Sequence, residues 1–149
     1  LTFGVLITAT ETSRAIAPFK KAFEEKYVGS SDNADFKAAF KKGNCNVCHV
    51  KGEKKDWLNA YGLSLANNIP GSVKERLDKA KAEGAEASKA ENEKLLEELK
   101  TAFEKAEETK SPSETTFGAM FKDHKLPTDE GARSVNDPEP KDGDASKAK

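Results

Sequence analysis

Cys45-Asn46-Val47-Cys48-His49 contains both cysteines of this 149-residue chain and one of its two histidines. Two thiols separated by two residues, with an imidazole directly after the second, can support three kinds of chemistry. They can add to the two vinyl groups of one haem while the imidazole reaches the iron, contribute to a zinc site, or cycle as a redox dithiol. A structural zinc needs four ligands, and outside the motif the chain offers His124 and carboxylates but no second Cys pair and no His pair. A thioredoxin-like dithiol belongs beside a βαβ pattern, whereas the flanks here read as helix. No cysteine is left for a disulfide framework elsewhere. The spacing therefore favours covalent attachment of one haem c through Cys45 and Cys48, with His49 as the proximal iron ligand.

The elements that must position this motif are helical. In "APFKKAFEEKYV" Phe19, Phe23 and Tyr27 recur at every fourth position, along one helix face. "DFKAAFKKGN" repeats the pattern with Phe36 and Phe40, and Gly43 stops it just before the first cysteine. After a charged loop, Asp56 is placed to N-cap a helix carrying Trp57, Leu58, Tyr61 and Leu65, which "PGS" closes. Ser72 and Glu75 have capping-box spacing. They open a proline-free stretch to about Lys110 that reads as one long helix or as two joined near Gly84. Its second half has a defined apolar face (Leu95, Leu96, Leu99, Ala102, Phe103, Ala106), while its first half offers mostly alanine. "SPSETTFGAMFKDHKLP" reads as a turn and a short helix with Phe117, Met120, Phe121 and His124 on one face. The expectation is an all-α fold: a small helical domain around one covalently bound haem, with a long charged helix and a flexible C-terminal tail.

The chain is 36% hydrophobic and 34% charged, with 8 Phe, 2 Tyr and 1 Trp, which is lean for a large core. A porphyrin would add apolar surface, with Phe36, Phe40, Trp57, Leu58 and Tyr61 packed around it; each is equally suited to ordinary core. Twenty-five Lys and Arg nearly balance 26 Asp and Glu, so no clustered positive field favours nucleic acid. Residues 1–17 begin with an apolar run and reach small residues at Ala15 and Ala17, reading as the rear of a secretory signal or an N-terminal extension. The alternative is a buried strand. A signal would place the protein in the periplasm or an equivalent exported compartment. The run is shorter than the roughly 20 apolar residues of a transmembrane helix. Residues 18–127 are the expected haem domain, and residues 128–149 are a polar tail expected to be disordered on its own.

"DFKAAFKKGNCNVCHV" resembles the start of a class I c-type cytochrome, where an amphipathic aromatic helix runs into the Cys-x-x-Cys-His turn. The wider pattern over residues 18–127 is similar to small exported monohaem cytochromes of planctomycete bacteria. The resemblance implies an electron carrier whose second axial ligand is a methionine downstream of the motif. Met120 is the only methionine, although here the long helix precedes it rather than follows it.

The residues themselves leave the sixth iron position open between three states. Met120, flanked by Phe117 and Phe121 as an apolar distal pocket, would raise the potential of a carrier; His124 would give a carrier of lower potential. With neither bound, the iron could bind a small ligand or activate peroxide, with His124 as the acid–base group. Electron transfer rather than enzymatic activity is the expectation. Redox proteins are the expected partners, with self-association or incorporation as the haem subunit of a larger redox assembly through the terminal segments.

Overall fold

The computed structural model describes residues 17–53, 57–128 and 133–134. The expected signal remnant up to residue 16 and most of the polar tail lie outside the described residues. Those described form the expected all-α class, with two strands of two residues each.

Helix α1 (Ala17–Phe23) carries on into a π-helical turn, Glu24–Val28. The wider turn lets Val28 as well as Tyr27 meet the core that Phe19 and Phe23 already face. Asn33 caps α2 (Ala34–Gly43) by accepting from the Phe36 amide at 2.8 Å. Phe36 and Phe40, one turn apart, are both buried. The chain then tightens into a 3₁₀ turn, Asn44–Val47.

Strand β1 is Trp57–Leu58, and helix α3 runs over Ala60–Asn67. This corrects the expected boundary. The side-chain cap of the helix is Asn59, whose Oδ1 accepts from the Gly62 amide at 2.9 Å. Trp57 and Leu58 are consequently extended and half-buried rather than helical. Strand β2 (Arg133–Ser134) pairs antiparallel with β1, Trp57 opposite Ser134 and Leu58 opposite Arg133. Two residues of the expected polar tail thus take part in backbone pairing.

Two helices, not one, fill the Ala/Glu/Lys-rich stretch: α4 (Val73–Glu83), capped by Ser72, and α5 (Ala85–Glu108). Gly84 joins them with φ of 125°, a conformation that an L side chain resists. The hairpin is held by Arg76, whose guanidinium donates to Glu91 and Glu98 on α5 (each 2.7 Å) and to the Pro70 carbonyl (2.8 Å). Only from Leu95 onward does α5 enter the core, through Leu95, Leu99, Ala102, Phe103 and Ala106. Helix α6 (Phe117–Lys122), capped by Thr116, buries Phe117, Met120 and Phe121. It stops before His124, which takes φ of 57° and is exposed, so the shared helical face does not extend to that residue.

A cluster of rings joins these helices. Phe23 stacks on Phe40 (5.6 Å) and meets Phe121 edge-on (5.4 Å), and Tyr61 meets Phe117 (5.1 Å) and Phe121 (5.2 Å) edge-on. Such pairs contribute about 0.5–1.5 kcal/mol each beyond their buried area. The Tyr27 hydroxyl donates to Glu107 Oε1 at 2.7 Å, and Lys26 reaches the same oxygen at 3.1 Å.

Both tyrosines of the chain sit in this cluster. Burial holds the Tyr27 hydroxyl well above its ordinary value of 10.0, and the adjacent Glu107 carboxylate adds to the shift. Burial likewise raises Tyr61, with Tyr27 beside it. As pH passes 10 the unfolded chain releases these protons while the folded chain keeps them, so stability must fall as pH rises above that value. In a pH titration, the phenolate absorbance of the folded protein is expected to stay flat through 10 and to rise only on unfolding. A rise at the ordinary tyrosine value with the fold intact would contradict this burial.

Candidate functional site

The motif begins where α2 ends. Asn44 leaves the helix with φ of 48°, and the amides of Cys48 and His49 both donate to the Cys45 carbonyl, at 3.2 and 3.0 Å. Cys45 through His49 therefore coil around one carbonyl, placing two thiols and an imidazole on a single turn. His49 and the residue after it are tied to β1: His49 forms a bridge with Leu58, and the Val50 amide donates to the Trp57 carbonyl at 3.1 Å.

The remaining carbonyls of the turn all meet Asn59. Its backbone amide donates to Cys48 O (3.0 Å), and its Nδ2 lies 3.2 Å from Asn46 O and 2.9 Å from Val47 O. The same Nδ2 is 2.7 Å from Pro127 O. Helix α3 then presses directly on the motif: a Cβ at Gly62 would fall on the Cys48 carbonyl oxygen and come within 3.0 Å of its carbon. Only glycine permits that approach. On the other side, residues 126–128 run past the end of α2, where a Cβ on Gly43 would meet Thr128 Cγ2 at 3.4 Å and Leu126 Cδ1 at 3.9 Å.

Both cysteines are free thiols and both are half-buried. The Cys45 thiol lies 3.9 Å from Asn44 Oδ1. Burial, with Cys45 adjacent, pushes the Cys48 thiol up to about 12. Cys48 packs against the core, and Tyr61 is close enough to interact with it electrostatically. Among the described residues no three His, Cys, Asp or Glu side chains converge on one ion position. The donor set of the turn, two free thiols on half-buried residues followed by an imidazole, fits a c-type haem, whose two thioether bonds form at separate vinyl groups.

The other expected site residues divide into two groups. Phe36, Phe40, Tyr61, Phe117 and Phe121 are buried in the core behind the turn, with Met120 among them, whereas Trp57 and Leu58 are half-buried beside His49. His124 is exposed; its ring lies 5.6 Å from that of Phe36, and its Nδ1 is 3.5 Å from Ser31 Oγ. A groove lies elsewhere. It measures about 680 Å³ and is lined by Arg76, Ala80, Ala87, Glu91 and other residues of the α4–α5 hairpin.

Asn59 and Gly62 were not legible from the sequence as site residues. Asn59 has a strong N-cap side chain, but its bonds to residues 46, 47 and 127 are tertiary. Among the described residues, no helix is long and apolar enough to cross a membrane.

Gly62→Ala would force a methyl group onto the Cys48 carbonyl, and since backbone cannot yield cheaply, a loss of at least about 1–3 kcal/mol is expected. Denaturant unfolding checks this, and an unchanged midpoint would show that α3 can move off the turn. Comparison with protein-family models, curated proteins and solved structures finds no match to this chain.

Proposed function

We propose that this chain binds one haem c covalently through Cys45 and Cys48, with His49 as the proximal ligand, and that it is an electron-transfer protein of an exported compartment. The observation that carries the reading is the Cys-x-x-Cys-His sequence wound on a single turn, with every carbonyl from Cys45 to Cys48 hydrogen-bonded and both thiols reduced. The bound haem would supply an iron that accepts and returns one electron.

The chain's own residues would do the rest. The 3₁₀ turn presents the two thiols and His49 together. Val47, Tyr61 and the aromatic cluster behind them give the turn a dry, rigid backing. Met120, 6% exposed between Phe117 and Phe121, suits a thioether ligand in an apolar setting better than exposed His124 suits the same role, so Met120 is the proposed sixth ligand. A buried sulfur that stays bound in both oxidation states is what a carrier needs, since small geometric change favours fast exchange with redox partner proteins. The apolar start of the chain supports export, where c-type haem is attached.

Acid–acetone extraction followed by mass spectrometry of the protein from its native source is expected to show one haem mass retained on the polypeptide. The bare polypeptide mass would overturn the proposal. With haem retained, the oxidised protein should show the weak near-infrared band of thioether-to-iron ligation, lost in Met120→Ala. Loss in His124→Ala instead would move the sixth ligand to His124. Rapid carbon monoxide binding by the reduced wild type, unaffected by either substitution, would replace the carrier with an open-site haem protein.

A further inference from the structure

We propose that Asn59 is a positioning residue that locks the Cys45–His49 turn to the chain segment following Met120, so that the two sides of the site move as one body. The inference rests on the haem reading for its functional meaning, but the lock itself is a property of this chain's own residues.

A fully buried carboxamide must satisfy one carbonyl and two N–H groups. Asn59 is 0% exposed, and each of its polar atoms is used. Oδ1 accepts from Gly62. Nδ2, with two hydrogens, faces three carbonyls: Pro127 is nearest at 2.7 Å, while Val47 (2.9 Å) and Asn46 (3.2 Å) are adjacent residues of the turn that share the second hydrogen. With the backbone bond to Cys48, one residue holds three successive carbonyls of the motif and one carbonyl from 68 positions further along the chain.

The far end of this lock is rigidly joined to the proposed sixth ligand. Helix α6 unwinds through a hook in which the Asp123 amide donates to Ala119 O, His124 to Phe121 O, and Lys125 to Met120 O at 2.8 Å. Pro127 follows, fully buried, with no N–H and only its carbonyl to give. A displacement of Pro127 is therefore passed back along the hook to Met120.

A helix cap alone would not require asparagine. Capping Gly62 needs only an acceptor, and aspartate serves as well at a helix N-terminus. Aspartate keeps the cap but removes both N–H donors and sets a carboxylate oxygen against three carbonyls. Asn59→Asp thus separates the cap from the lock.

The test uses full-length protein as purified, comparing wild type, Asn59→Asp and Leu99→Ala, a buried α5 position outside the turn that serves as a control for general destabilisation. Amide hydrogen exchange is read at Cys48, His49 and Lys125. In Asn59→Asp all three should exchange faster together, by about tenfold or more beyond the change in Leu99→Ala, as expected for losing buried hydrogen bonds. In haem-loaded protein, carbon monoxide should also bind the reduced variant faster than the control by a similar factor. Exchange at Cys48 and Lys125 that is unchanged relative to the control, or that changes at one and not the other, would overturn the lock. Should Asn59→Asp not fold, Asn59→Ser keeps a cap oxygen without added charge and is read in the same way. Absence of covalent haem from the wild type would sink the functional reading alone, because the exchange comparison does not depend on it.

Discussion

Three successive carbonyls, those of Asn46, Val47 and Cys48, need donors that a tight turn cannot supply from within, and all three are met by Asn59. A 3₁₀ turn has poorer hydrogen-bond geometry than an α-helix and rarely persists alone. The conformation that gathers two thiols and an imidazole is therefore sustained by tertiary contacts. Burial makes those contacts strong, since in a dry setting each unmet carbonyl would carry its full desolvation cost. The cap of α3, its start at Ala60, the close approach of Gly62 and the course of residues 126–128 all follow from where this side chain sits.

Helix α3 has a second task, which fixes its depth. Tyr61, two residues after Asn59, is fully buried and wedged between Phe117 and Phe121 of α6. The same short helix thus touches α6 through its core face and the segment after α6 through its cap. Phe23 completes the frame by contacting Phe40 on α2 and Phe121 on α6. The motif is braced from behind by rings contributed by α1, α2, α3 and α6, so the lean apolar composition is spent where the turn needs support.

Much of this frame is legible in the sequence, because it depends on local periodicity. The fourfold spacing of Phe19, Phe23 and Tyr27, the Phe36/Phe40 pair ending at Gly43 and the Ser72 cap are as the pattern implies, and so is the apolar face of α5 except at Leu96, which the structure leaves exposed. The start of α3 is not legible in the sequence because Asp56 and Asn59 are both competent caps. What selects Asn59 is the carboxamide's bonds to residues distant in sequence, which no local pattern records. His124 departs from the α6 face for a similar reason: its spacing fits a helix, but the chain turns to φ of 57° there and joins the hook that carries Pro127. The Cys-x-x-Cys-His motif is legible as residue types in order, while the residues shaping its turn are not.

The long charged hairpin stands apart from these constraints. Arg76 holds α4 to α5 with Glu91 and Glu98 at positions only 19–21% exposed, where ion pairs are less screened than on the open surface, and those same carboxylates raise the guanidinium above its ordinary value. That cluster lets the first half of α5 remain helical without entering the core, its alanines facing α4 across an open groove. The second half of α5, from Leu95 onward, instead fills the space beside α1, α3 and α6. One helix thus serves two structural regimes, electrostatic where Glu91 and Glu98 face α4 and apolar where Leu95, Leu99, Ala102, Phe103 and Ala106 enter the core. Changes on the α4-facing side act on the hairpin and the groove, whereas changes on the apolar side reach the frame behind Cys45–His49.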